Sequence, residues 1–205
     1  MARWHGAQRA KLSTSLSARI PLTHGAVDST RQIRNIALIG FMGTGKSSVG
    51  RMVADTLHFT FLDTDDVIQA RAGISIREIF DNHGEAVFRD WERRLVEELA
   101  RRTKTVISTG GGLPANEANF VSLQSHSLVV CLWASPEKIY QRVKSQTHRP
   151  LLHDPDPQAK IRELLTAREP YYRKADVLVN TDFRSAREVA LQVLHQFHMA
   201  QPVPQ

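Results

Sequence analysis

Short apolar runs alternate along this chain with longer segments whose apolar positions fall three and four residues apart. The runs lie at 35–39, 59–62, 105–108, 128–133 and 177–179, each of strand length and bounded by polar or glycine-bearing stretches. Leu128-Val129-Val130-Cys131-Leu132-Trp133 shows no polar alternation, as expected of a strand covered on both faces. Between the first two runs, Val49, Met52, Val53 and Leu57 form a helical stripe. Ser75-Ile76-Arg77-Glu78 is a capping box ahead of Ile79-Phe80. Gly84 then separates that short helix from a longer one carrying Phe88, Leu95 and Leu99, and Ser135-Pro136 opens another in cap-then-proline order. Strands alternating with helices in this way predict an α/β domain with a parallel sheet.

Two stretches interrupt the pattern. Residues 145–158 include His148-Arg149-Pro150-Leu151-Leu152-His153-Asp154-Pro155-Asp156-Pro157, too rich in proline for a helix interior and too polar for a strand, so an exposed loop or lid is expected. Ser108-Thr109-Gly110-Gly111-Gly112 follows the third strand. Three successive glycines there are needless unless another group must approach the backbone closely.

With 205 residues and 41% apolar composition, the chain suits one well-buried domain rather than two. Its net charge of +6 hints at nucleic acid until it is divided along the chain. Six basic residues (Arg3, Arg9, Lys11, Arg19, Arg31, Arg34) against Asp28 give the first 34 residues +5, which leaves the body near neutral. No aromatic-basic interleaving accompanies this charge, so neither a nucleic-acid nor a membrane partner is expected. The expected organisation is a flexible basic arm at 1–33, a domain at 34–198 and a tail at 199–205. The arm reads as a leader, an overlong start or a transit-like segment, with no chemistry of its own. Cys131 is the one cysteine, which excludes an internal disulfide and suits a reducing, cytoplasmic setting. The nine histidines show no zinc-ligand spacing.

Candidate chemistry begins at Gly40-Phe41-Met42-Gly43-Thr44-Gly45-Lys46-Ser47, between the first strand and the first helix. This is a phosphate-binding loop in its required setting: glycines turn backbone N–H groups inward, the helix N-terminus favours an anion, Lys46 adds a mobile cation and Ser47 is placed for magnesium. Asp63-Thr64-Asp65 follows the second strand. One carboxylate there can order the water shell of magnesium while the other takes a proton from an acceptor hydroxyl, although helix capping would also explain an aspartate at such a place and is the simpler reading of Asp66. Arg89, Arg149 and Arg168 offer guanidinium groups to carboxylate or phosphate, and Arg149 would travel with the lid.

Taken in order, these pieces resemble the shikimate kinase family over about residues 34–196. The resemblance rests on Gly-Phe-Met-Gly-Thr-Gly-Lys-Ser-Ser-Val-Gly at 40–50, Phe-Leu-Asp-Thr-Asp at 61–65, Ile-Phe-Asp-Asn-His-Gly-Glu-Ala-Val-Phe-Arg at 79–89, Thr-Gly-Gly-Gly at 109–112 and Arg-Pro-Leu-Leu at 149–152. It implies a three-layer P-loop kinase fold like that of nucleoside monophosphate kinases, with a five-stranded parallel sheet flanked by helices and a mobile lid. The implied reaction gives ADP and 3-phosphoshikimate from ATP and shikimate, with one magnesium ion, in a protein expected to be monomeric.

Residue by residue, the resemblance implies that Gly43, Thr44, Gly45, Lys46, Ser47 and Ser48 cradle the phosphates, with Ser47 and Asp63 at magnesium. It assigns Asp65 to the acceptor hydroxyls as base, Arg89 and Arg168 to the shikimate carboxylate, and Gly111 to the ring. Lys46, Asp65 and Arg149 are then the catalytic set, with Arg149 closing on ATP and Arg142 and Arg184 bordering the adenine. Ser48 stands where threonine is usual and Gln69 where an acid is frequent. Two rival expectations are a kinase for another acceptor, such as gluconate or a nucleoside monophosphate, and a nucleotide-binding module without turnover.

Overall fold

The computed structural model describes residues 31–145 and 154–201. Five strands, β1 (Asn35–Ile39), β2 (Thr60–Asp63), β3 (Thr105–Ser108), β4 (Ser127–Trp133) and β5 (Val177–Asn180), form one sheet in the order β2-β3-β1-β4-β5. Every pairing is parallel. The helices are α1 (Lys46–Leu57), α2 (Thr64–Ala72), α3 (Ile76–Leu99), α4 (Glu117–His126), α5 (Pro136–Val143), α6 (Pro157–Tyr172) and α7 (Ala186–Met199), with a short 3-10 turn at Leu113–Ala115.

Strand period sorts the core into two layers. Ile36, Leu38, Val106, Leu128, Val130 and Leu132 face α1 and α7, against Val49, Val53, Val193 and Phe197. Ala37, Ile39, Ile107, Val129 and Cys131 face the other way, against Phe88, Leu95 and Leu99 of α3, Phe120 of α4, Ile139 of α5 and Leu165 of α6. Both faces are thus covered, which explains the unbroken apolar runs. Because β1 is central and its neighbours β3 and β4 come later in the chain, the crossovers diverge at its carboxyl end, the place where such sheets bind ligands.

Local signals act as the sequence implies. Ser75 and Glu78 make a reciprocal capping box, Ser135 accepts from the Lys138 N–H, and Gly84 breaks α3 with φ 80° and ψ 168°. Cys131 is buried in the core, where loss of hydration pushes its thiol up to about 12. No helix among the described residues is long and apolar enough to cross a membrane.

Several expectations require correction. Met52 is 42% exposed, so the α1 stripe is narrower than its apolar spacing suggests. The N-cap of α2 is Asp63, not Asp66. Pro157 and Gln158, expected in the loop, open α6 behind the Asp156 cap. Residues 146–153, including Arg149, lie outside the described residues. The last part of the expected arm is folded: Ile33 is in the core, and Arg31 grips Asp176 through Nη1 at 2.6 Å and Nη2 at 3.0 Å while Nη2 also reaches the Ser127 carbonyl at 2.7 Å. Asp176 further accepts from the Val129 N–H at 2.8 Å and Gln124 Nε2 at 3.2 Å. Past the expected boundary at 198, Gln201 Nε2 donates to the Ile33 carbonyl at 3.2 Å.

A second buried polar group lies at the same amino edge of the sheet. Asn35 Oδ1 accepts from the Thr105 N–H at 3.0 Å, which turns its Nδ2 toward the Arg102 carbonyl at 2.8 Å and His126 Nδ1 at 3.0 Å. His126 Nδ1 is therefore an acceptor and its proton sits on Nε2, with Ser127 Oγ also 2.9 Å from Nδ1. Burial, aided by the charge of Arg34, lowers the imidazole from 6.5 to about 4.

Two outcomes are expected. Above pH 6.5 both folded and unfolded chains keep His126 neutral; between about 6.5 and 4 only the unfolded chain takes up the proton. Urea unfolding should therefore lose about 2–3 kcal/mol of stability across that window, and His126→Gln should remove that part of the slope; equal slopes would exclude the histidine as its source. Arg31→Ala strands a buried carboxylate and should cost about 3 kcal/mol in thermal or urea unfolding, whereas an unchanged midpoint would show that Asp176 is satisfied without it.

Candidate active site

The carboxyl ends of β1, β2 and β3 open into a cleft of about 440 Å³. Its lining includes Gly43, Gly45, Lys46, Ser47, Ser48, Asp63, Asp65, Gly111, Arg142 and Arg168. The loop from β1 to α1 turns through Gly43 at φ 73° and Gly45 at φ 98°, a region that only glycine occupies without strain. Thr44 is buried, its hydroxyl donating to the Phe41 carbonyl at 2.8 Å. Lys46 Nζ lies 2.9 Å from the carbonyls of Gly40 and Phe41, so its ammonium is folded over the loop. No side chain caps α1, which leaves its N-terminal amides directed at an anion.

Beside this cradle, Asp63 Oδ2 accepts from Ser47 Oγ at 2.8 Å and Ser108 Oγ at 2.9 Å. Its Oδ1 accepts from the Asp65 N–H at 3.1 Å. Hydroxyl and carboxylate oxygens so gathered are the hard donors that magnesium prefers. The described residues contain no cluster of three His, Cys, Asp or Glu able to hold a metal, so a cation here would draw on this pair and on phosphate oxygens.

The three glycines after β3 each admit a different side chain. A Cβ on Gly110 would stand 2.5 Å from Asp65 Oδ1, one on Gly111 3.2 Å from Arg168 Nη1, and one on Gly112 3.0 Å from Arg89 Nη1. Successive Cα atoms are only about 3.8 Å apart. The sequence candidates Asp65, Arg168 and Arg89 therefore converge on one short stretch of backbone. Gly110 is also tied through its N–H to Thr64 Oγ1 at 2.9 Å, and Gly111 through its carbonyl to the Tyr172 hydroxyl at 2.8 Å. The Arg168 guanidinium lies 5.4 Å from the centre of the Phe41 ring.

Arg89 is already engaged. Its Nη1 donates to Glu92 at 2.6 Å and its Nη2 to Glu85 at 2.8 Å. Desolvation opposes its charge, but the hydrogen bonds to Glu92 and Glu85 prevail and raise it above its ordinary value. Glu92 is only 1% exposed. Its desolvation outweighs the pull of Arg89 and raises the carboxyl, with Asp65 adding repulsion. Arg142 donates to the Gly43 carbonyl at 3.2 Å and to Thr181 at Oγ1 (2.9 Å) and at its carbonyl (2.5 Å). Arg184 lies apart, on Gln192 Oε1 at 2.6 Å and the Asn180 carbonyl at 3.2 Å.

Sequence reasoning passed over Glu92, Ser108 and Tyr172. A signal for Glu92 existed: it falls on the 88, 92, 95, 96, 99 stripe that α3 buries, where a lone carboxylate requires a partner. Ser108 and Tyr172 gave none, since their partners are distant in sequence.

A parallel sheet with a phosphate-loop motif at its carboxyl edge, and a cleft that gathers Lys46, Ser47, Asp63, Asp65 and Arg168 with Arg89 beside Gly112, has the make-up of a P-loop phosphotransferase. Residues 42–198 match the family model described as shikimate kinase. The shikimate kinase of Caldanaerobacter subterraneus subsp. tengcongensis is 44% identical, over 80% of this chain and 96% of that protein. A structure described as shikimate kinase from Acinetobacter baumannii in complex with shikimate aligns with TM-score 0.77 at 37% identity, covering 82% of this chain and 94% of that one. A gluconokinase from Sinorhizobium meliloti 1021, at 19% identity and TM-score 0.54, shares the fold alone. The chain belongs to the shikimate kinase family and is an ATP-dependent kinase of the shikimate pathway.

Proposed function

We propose that the cleft transfers the γ-phosphoryl group of ATP to the 3-hydroxyl of shikimate, with Asp65 as base and Arg168 and Arg89 as the carboxylate clamp. The observation that supports this reading is the glycine stretch, whose three successive backbone positions lie beside the Asp65 carboxylate and the Arg168 and Arg89 guanidinium groups. A ring bearing a carboxylate at one end and hydroxyls at the other matches that polarity.

Loop amides and the α1 N-terminus hold the phosphates, and Lys46 swings from the Gly40 and Phe41 carbonyls toward them. A magnesium ion held by Ser47 and Asp63 would neutralise phosphate charge. Asp65 accepts the hydroxyl proton as the oxygen attacks phosphorus and the bond to ADP breaks. The substrate carboxylate displaces exposed Glu85 from Arg89, while buried Glu92 keeps its grip and fixes the guanidinium plane. Arg149, outside the described residues, is assigned by motif to the transferring group. A cytoplasmic setting accords with the free thiol of Cys131.

Asp65→Asn should reduce turnover at least a hundredfold with nearly unchanged ATP binding; normal turnover would remove the residue from the chemistry. Arg168→Ala should weaken shikimate by about 2–5 kcal/mol, measured through KM and direct binding, and a KM within twofold of the parent would contradict the clamp.

A further inference from the structure

We propose that Tyr172 is a positioning residue for the acceptor, its hydroxyl fixing the Arg168 guanidinium and the Gly111 backbone against each other before the acceptor carboxylate arrives. The inference rests on the proposed clamp and says what sets the geometry of its second arm. Arg89, the first arm, is held by carboxylates, since buried Glu92 and exposed Glu85 both accept from it. Arg168 is held differently. Its guanidinium lies 5.4 Å from the centre of the Phe41 ring, and its Nη1 would stand 3.2 Å from a Cβ on Gly111.

Tyr172 stands where these groups meet. It lies one turn after Arg168 on α6, and residues four apart share a helix face. Only 1% of it is exposed, so its phenol needs a partner within the protein. That partner is the Gly111 carbonyl at 2.8 Å. Burial is the largest influence on the phenol and raises it, while the charge of Arg168 and a hydrogen bond from Arg168 act the other way. One neutral hydroxyl thus donates its proton to the glycine backbone and turns its lone pairs to the guanidinium.

The glycine stretch needs such a tie. Backbone without Cβ atoms is the costliest to hold in one conformation, and a clamp is useful only when kept close to its productive geometry. The Gly110 N–H is tied to Thr64 Oγ1 at 2.9 Å, at the head of the helix that carries Asp65. The Gly111 carbonyl is tied to Tyr172, at the end of the helix that carries Arg168. Two hydroxyls on two helices therefore secure adjoining residues, and Tyr172 is the one that also meets a guanidinium.

The test is a double-mutant cycle in the full chain: parent, Tyr172→Phe, Arg168→Ala and the pair, followed by kcat/KM for shikimate at saturating ATP, with thermal unfolding alongside. The phenylalanine ring keeps the core contacts of Tyr172 and removes only its oxygen. Tyr172→Phe should raise the shikimate KM about tenfold and leave kcat and the ATP KM nearly unchanged. In the Arg168→Ala background the same change should cost nothing further, because residues that act through one another are not additive. An unchanged shikimate KM in Tyr172→Phe would overturn the proposal. So would a loss that adds in full to that of Arg168→Ala, or one that falls on the ATP KM as well, because the hydroxyl would then serve the fold at large. A parent that turns over no shikimate defeats the kinase reading itself, whereas an active parent with an additive cycle defeats this inference alone.

Discussion

One carboxylate organises the active edge of this protein. Asp63 Oδ2 accepts hydroxyls from Ser47 on α1 and Ser108 on β3 together, and Oδ1 caps α2 through the Asp65 N–H. The helix behind the glycine loop, the strand that precedes the three glycines and the helix that carries Asp65 are therefore registered against a single side chain. A charged acceptor serving three donors is stronger than neutral bonds would be, and its position at a strand end gives it a rigid mount. Loss of that group would leave Ser47, Ser108 and Asp65 without a common reference.

The glycine stretch lets three charged side chains gather on this frame. Backbone at 110–112 stands so close to Asp65, Arg168 and Arg89 that a methyl group at any of the three would intrude on a charged group. Absence of side chains thus makes room for these groups, and Tyr172 braces the stretch from α6 through the Gly111 carbonyl. Burial raises the Tyr172 phenol, so it remains a neutral donor in that bond. Glu92 acts from beneath as a buried counter-charge to Arg89, holding Nη1, while exposed Glu85 accepts from Nε and Nη2.

Much of this was legible in the sequence because the signals are local. Strand runs, the capping box at Ser75 and the phosphate loop each declare themselves within a few residues, and the order of motifs supplied the family. Boundaries were less legible: β2 runs one residue further, to Asp63, and α6 begins inside the proline-rich stretch, because hydrogen bonding rather than composition ends an element. Arg31 looked like part of a basic arm, since only the fold brings Asp176 beside it across 145 positions. Glu92 gave a signal on the buried stripe of α3 that went unread. Its partner is three residues away, but its burial depends on the packing of α3 beneath the glycines.

The proposed clamp at Arg89 and Arg168 is tested by which acceptor the cleft uses. The most direct measurement is ADP release by the purified full chain with ATP and magnesium, comparing shikimate, gluconate, a nucleoside monophosphate and no acceptor. Turnover that depends on shikimate and is near background with the other three is the predicted result. Faster turnover with gluconate or a nucleoside monophosphate, or no turnover with any acceptor, would contradict it.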